Sequence, residues 1–116
     1  MSKLELGKDF IFKNDFPVQG VKFIELYSVL LNQEKRDSIL ADWAKRFPQT
    51  NLVVGVESRG FIWAALFAQK YHLRLAVVRK AGKFAYPEYQ EQYKCEYGVG
   101  VLEIEQIPSN ANVLIL

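Results

Sequence analysis

A strand, a four-residue break, a helix and a second strand follow one another without filler in the middle of this chain, and that order leaves few folds open. Leu52-Val53-Val54-Gly55-Val56 is a short, continuously apolar run rich in β-branched residues, the pattern of a parallel strand covered on both faces. Glu57-Ser58-Arg59-Gly60 interrupts it. Phe61 to Tyr71 resumes with Phe61, Ile62, Ala64, Ala65, Leu66, Ala68 and Tyr71 on a broad helical face, and Leu75-Ala76-Val77-Val78 returns as another buried strand. Strand, helix, strand is a βαβ unit, whose right-handed crossover makes the two strands parallel neighbours or near neighbours in one sheet. The predicted fold class is α/β.

The rest of the chain is organised around that unit. At 116 residues there is room for one domain, 1–116. Its opening segment, 1–31, distributes Phe10, Phe12, Phe16, Phe23 and Tyr27 around Pro17 and Gly20 without helical period, and reads as a packed arm or lid. From Glu34 to Phe47 the apolar positions Ile39, Leu40, Trp43, Ala44 and Phe47 predict an amphipathic helix, with Asn32 as N-cap and Pro48 as stop. Downstream, the glycine- and tyrosine-rich stretch 81–103 is long for a connection and reads as a flexible loop. Within it, 92–97 and 101–104 alternate as a two-stranded hairpin around Gly98 and Gly100. Pro108-Ser109-Asn110 is a turn, and Val113-Leu114-Ile115-Leu116 begins a further buried strand. Because ligands of open α/β sheets bind beyond the carboxyl ends of the strands, the chain reads as the N-terminal, incomplete portion of something longer.

Composition removes several classes of function. Fifteen Lys plus Arg against thirteen Asp plus Glu leave a formal net charge of +2, too little for a nucleic-acid coat or a polybasic membrane anchor. One cysteine and one histidine provide almost no ligands for a structural zinc site, and no metal-ligating residues are expected. The single cysteine suggests a reducing, cytoplasmic compartment. Neither a signal peptide nor a membrane span is indicated.

Two segments carry chemistry. Glu57-Ser58-Arg59-Gly60 stands at a strand-to-helix junction, where backbone N–H groups and the positive helix end favour an anion and Arg59 adds a bidentate donor. The plainer alternative is a tight turn at Gly60 with Glu57 as a helix cap. Arg79-Lys80-Ala81-Gly82-Lys83 places three cations at the carboxyl end of a buried strand, where a polyphosphate fits; an exposed, solubilising turn is the alternative. Basic residues interleaved with Phe84, Tyr86, Tyr89 and Tyr93 would also suit single-stranded nucleic acid, a reading that the low net charge disfavours. His72 is expected to cap a helix end, Cys95 to pack as a small hydrophobe, and Trp43 and Trp63 to lie in the core.

Taken in order, four motifs resemble the adenine phosphoribosyltransferase family. They are Asp15-Phe16-Pro17 with Gly20-Val21-Lys22-Phe23; Val54-Gly55-Val56-Glu57-Ser58-Arg59-Gly60-Phe61; Val78-Arg79-Lys80-Ala81-Gly82-Lys83; and Glu96-Tyr97-Gly98 with Leu102-Glu103-Ile104. The resemblance implies a type I phosphoribosyltransferase-like parallel sheet with an N-terminal hood and a flexible hairpin loop. It also implies a homodimer that joins adenine to 5-phosphoribosyl 1-pyrophosphate, with magnesium, to give AMP and pyrophosphate. Phe23 looks like the ring that stacks on the base, with backbone groups of Val21 and Lys22 reading its edge. Glu57, Ser58, Arg59 and Gly60 look like the pyrophosphate loop, and Arg79, Lys80 and Lys83 like a basic loop reaching pyrophosphate across the dimer. Glu96 and Tyr97 resemble the loop that closes over the site, Glu96 being a candidate for proton transfer at the purine, and Glu96 and Arg59 are the candidate catalytic residues. The family's two acids followed by a Thr-Gly-Gly phosphate loop do not occur in these 116 residues, so this chain alone is expected to be inactive. Ile24 and Phe84-Ala85-Tyr86-Pro87 also depart from the family pattern. The alternative is a non-catalytic phosphoribosyltransferase-like subunit or a purine-sensing module.

Overall fold

The computed structural model describes residues 4–5, 8–95 and 98–116. It divides into two compact units, Met1–Arg46 and Phe47–Leu116.

In the first unit, β1 (Ile11–Asn14) pairs antiparallel with β2 (Lys22–Glu25), with Lys13 opposite Phe23. The sequence reading has only an irregular arm here. Both strands are four residues long and partly exposed, too short for alternation to stand out from a general aromatic enrichment. A single helical turn, α1 (Tyr27–Leu30), precedes α2 (Gln33–Arg46), the predicted amphipathic helix. Asn32 caps α2 as expected: its Oδ1 accepts the Lys35 N–H at 3.0 Å and its carbonyl accepts the Arg36 N–H at 3.0 Å. Along the predicted apolar face Leu40 is buried, Trp43 is half-buried, and Phe47 lies past the helix end and is exposed. Trp43 is therefore not the core residue anticipated.

In the second unit a five-stranded sheet runs in the order β5 (Tyr89–Cys95), β6 (Gly98–Ile104), β4 (Arg74–Lys80), β3 (Leu52–Val56), β7 (Val113–Ile115). β3 (Leu52–Val56) lies at its apolar centre, with Leu52, Val53 and Val54 all buried. It pairs in parallel with β4 on one side, as the βαβ reading requires, and with β7 on the other; neither partner is the buried strand expected, since β4 has no buried residue and Leu114 is the buried residue of β7. α3 (Arg59–Tyr71) makes the crossover. Its buried side is Trp63, Ala64, Phe67 and Ala68, whereas Ile62 and Ala65, placed on the apolar face by the sequence, are exposed. A Cβ on Gly55 would stand 2.8 Å from the Ala64 Cβ and 2.8 Å from the Gly60 carbonyl oxygen, so the glycine lets helix and strand approach closely. β5 (Tyr89–Cys95) and β6 (Gly98–Ile104) form the predicted hairpin, longer than the sequence indicates, and β6 joins the sheet antiparallel to β4. Cys95, on the edge strand β5, is exposed rather than packed, and its Sγ lies 3.3 Å from the Gly98 carbonyl oxygen.

Candidate active site

The loop between β3 and α3 is held by the sheet on both sides. The Val56 N–H donates to the Leu116 carbonyl at 2.8 Å, and the Glu57 N–H donates to the Val78 carbonyl at 2.9 Å. The Glu57–Ser58 peptide is cis. Ser58 is the N-cap of α3 without a side-chain capping bond, and the first turn contains no acidic residue. The positive end of a thirteen-residue helix therefore carries no carboxylate of its own, the electrostatic condition for receiving an anion. Arg59, exposed, is its first residue. Gly60 is constrained by packing: a Cβ there would collide with the Leu116 carbonyl oxygen and stand 2.9 Å from its carbon.

Glu57 does not cap the helix. Its carboxylate turns to β4, where Oε1 lies 3.6 Å from Nε of Arg79. The ion pair ties the β3–α3 loop to the basic end of β4, so two segments 22 residues apart in sequence are brought together. The Arg79 guanidinium also donates from Nη1 to the Lys83 carbonyl at 3.4 Å and lies 5.8 Å from the centre of the Phe84 ring. Lys80 and Lys83 are exposed on either side of Gly82, whose φ of +85° suits glycine. This turn is fastened from β6: the Ala81 N–H donates to the Val101 carbonyl at 3.0 Å, and the Gly82 N–H donates to Oε1 of Glu103. Glu103, 3% exposed, also accepts from Nε2 of Gln90 at 2.8 Å. Sequence reasoning gives Glu103 no role. The available signal was an acidic residue among apolar neighbours in Val101-Leu102-Glu103-Ile104.

The proposed base-facing residues belong to the first unit. Between β1 and β2 the chain turns through Asp15, at φ 55°, and Gly20, at φ 88°; Oδ1 of Asp15 accepts the Gly20 N–H at 2.8 Å. Val21 is buried, its N–H donating to the Val18 carbonyl at 3.3 Å and its carbonyl accepting the Phe16 N–H at 3.2 Å. That carbonyl retains a second lone pair. Phe23 is half-buried, with its ring centre 5.2 Å from that of Phe16 in an edge-to-face arrangement. Lys22 is exposed, with Nζ 4.3 Å from the centre of the Phe12 ring. Glu96 and Tyr97 lie outside the described residues. His72 closes α3 through its backbone, in the left-handed conformation with its N–H bonded to the Ala68 carbonyl.

No protein-family model matches the chain. Individual proteins do. A probable adenine phosphoribosyltransferase of Dictyostelium discoideum is 38% identical over 79% of this chain and 46% of its own length. The adenine phosphoribosyltransferase of Borreliella burgdorferi is 32% identical over 99% of this chain and 68% of its own. Among solved structures, the Saccharomyces cerevisiae enzyme complexed with an imino-altritol bisphosphate and adenine superposes with a TM-score of 0.80 at 28% identity, over 92% of this chain and 65% of that one. The chain thus spans about half to two thirds of the length of the proteins it matches. A likeness that runs through nearly every residue of this chain, in sequence and in backbone alike, is one of descent, and the chain belongs to the adenine phosphoribosyltransferase family.

Proposed function

We propose that this chain serves adenine phosphoribosyltransferase chemistry, adenine plus 5-phosphoribosyl 1-pyrophosphate giving AMP and pyrophosphate, and that its own residues handle the base and the pyrophosphate. The observation that carries this reading is the junction of the β3–α3 loop with the basic end of β4 through Glu57 and Arg79. A helix N-terminus and four cationic side chains, Arg59, Arg79, Lys80 and Lys83, belong to these two segments. As the bond between ribose and pyrophosphate breaks, negative charge grows on the departing group, and fixed donors aimed at it lower the barrier. Arg59 and the backbone of Ser58 and Gly60 receive that charge in this scheme. Lys80 and Lys83 add to it, reaching across a homodimer, while Arg79 holds their turn beside the loop of its own chain. Phe23 stacks on adenine, Val21 and Lys22 read its edge through their backbone, and Glu96 manages the purine proton while Tyr97 helps to exclude water. The segment 1–31 then acts as the hood and 81–103 as the closing loop of one phosphoribosyltransferase domain.

Magnesium is expected to enter with phosphoribosyl pyrophosphate, bound chiefly through the substrate's own phosphates, when the two-acid and Thr-Gly-Gly site is present; no step above runs through it. Among the described residues no helix is long and apolar enough to cross a membrane. The single cysteine supports a cytoplasmic setting.

Calorimetric titration of the 116-residue protein tests the reading. Saturable binding of both adenine and pyrophosphate is expected, with Phe23→Ala weakening adenine about tenfold and Arg59→Ala weakening pyrophosphate about tenfold or more. Failure to bind either ligand overturns it. AMP formation is expected only when a polypeptide carrying the two-acid and Thr-Gly-Gly motif, which does not occur in these 116 residues, is added.

A further inference from the structure

Arg79, Glu103 and Gln90 form one row across three strands, Glu103 of β6 standing directly opposite Arg79 of β4 and Gln90 of β5. Residues opposite one another in a ladder project from the same face. In the middle of this row is a carboxylate only 3% exposed, each of whose oxygens is taken by a neutral donor: the Gly82 N–H on one and the Gln90 amide on the other. A buried charge is costly unless it is hydrogen-bonded, so such a group holds its donors firmly in place. One of the two donors is the backbone of the turn that presents the cations. On the opposite side of that turn, Arg79 donates to the Lys83 carbonyl. The turn is thus fastened at Gly82 by β6 and at Lys83 by β4.

We infer that Glu103 is a positioning residue for the pyrophosphate site: it anchors the Arg79–Lys83 turn through Gly82 and so fixes where Lys80 and Lys83 stand. The inference rests on the proposed function, since it deepens the role given there to these cations. Glu103 touches no substrate in this scheme. Its effect passes through the backbone of residue 82.

The test combines amide hydrogen exchange at Gly82 with calorimetric titration of pyrophosphate and adenine, on the full chain and its E103A, E103Q and E103D variants. E103A is expected to speed Gly82 exchange at least tenfold and to weaken pyrophosphate about tenfold, leaving adenine affinity unchanged. E103Q keeps an acceptor for the Gly82 N–H and restores pyrophosphate affinity to within about threefold of wild type. E103D keeps the charge but withdraws the acceptor, so it should behave like E103A, and it carries the test if E103A does not fold. Equal loss of adenine and pyrophosphate affinity would point to general unfolding and overturn the inference. Unchanged Gly82 exchange and pyrophosphate affinity in E103A or E103D would overturn it alone. A wild-type chain that binds no pyrophosphate overturns the functional reading and this inference with it.

Discussion

Asp9 shows how one side chain organises the start of the chain. It is 8% exposed, its Oδ1 lies 2.7 Å from Nζ of Lys35 and its Oδ2 accepts the Glu5 N–H at 2.7 Å, while its carbonyl accepts the Ser28 hydroxyl at 2.8 Å. The hydrogen bond from Lys35, then that from the Glu5 backbone, hold its carboxyl below the usual aspartate value. A depressed native pKa means that the unfolded chain binds the proton more readily. The contribution to stability is therefore complete above about pH 4 and is lost as pH falls through the native value. Asp9→Asn should melt at a lower temperature than wild type at pH 7, with the difference shrinking below about pH 4; thermal scans across about pH 2.5–7 check this. A constant difference down to the lowest pH would remove Asp9 as the titrating group. Other residue-level readings depend on neighbours a sequence does not display. Cys95 is exposed because β5 is an edge strand, and Glu57 pairs with Arg79 because Val56 is hydrogen-bonded on one side of the loop and Glu57 on the other.

At the scale of elements, the close contact of α3 with β3 predicts the cost of altering it. Gly55→Ala would press a methyl group against Ala64 and the Gly60 carbonyl, both 2.8 Å away, and should destabilise the protein by about 1–3 kcal/mol in urea unfolding. Phe67, 1% exposed and 4.8 Å from the Tyr71 ring centre, should cost about 3–5 kcal/mol on truncation to Ala. Strand β3 was legible because burial on both faces leaves a dense apolar signal, α3 because its buried side repeats at helical spacing, and α2 because Asn32 marks its start, whereas β4 reads as equally apolar although it is only half-buried and Leu75 is exposed. The β1–β2 pair was not, because four-residue, half-exposed strands need little apolar patterning and owe their pairing to each other. The extra length of β5 escaped for a related reason. Tyr89-Gln90-Glu91 is exposed and extended only because it has β6 to bond with. The basic turn was legible as a run of cations; its fastening by Glu103, 21 residues from Gly82, was not.

For the whole molecule, a net charge of +2 conceals a local concentration of cations around the β3–α3 loop and the end of β4. Pyrophosphate binding should therefore weaken several-fold when ionic strength rises from about 0.05 to 0.3 M, while adenine binding stays constant, because only the former depends on unscreened charge. Calorimetry at both salt levels would show this, and parallel behaviour of the two ligands would deny the cations their role. The chain's family and its principal sheet could be read from sequence, since the motifs follow one another in order. The division into Met1–Arg46 and Phe47–Leu116 could not, because no change of composition marks residue 46. The sheet order β5-β6-β4-β3-β7 leaves β5 on the outside, where alternate residues of this seven-residue strand direct backbone donors and acceptors away from β6. Such a rim is a template for fibril growth unless its side chains forbid it. Gln90, Glu91, Gln92 and Lys94 do so here, all exposed and two of them oppositely charged, which makes this border of the sheet a colloidal safeguard against strand-by-strand aggregation.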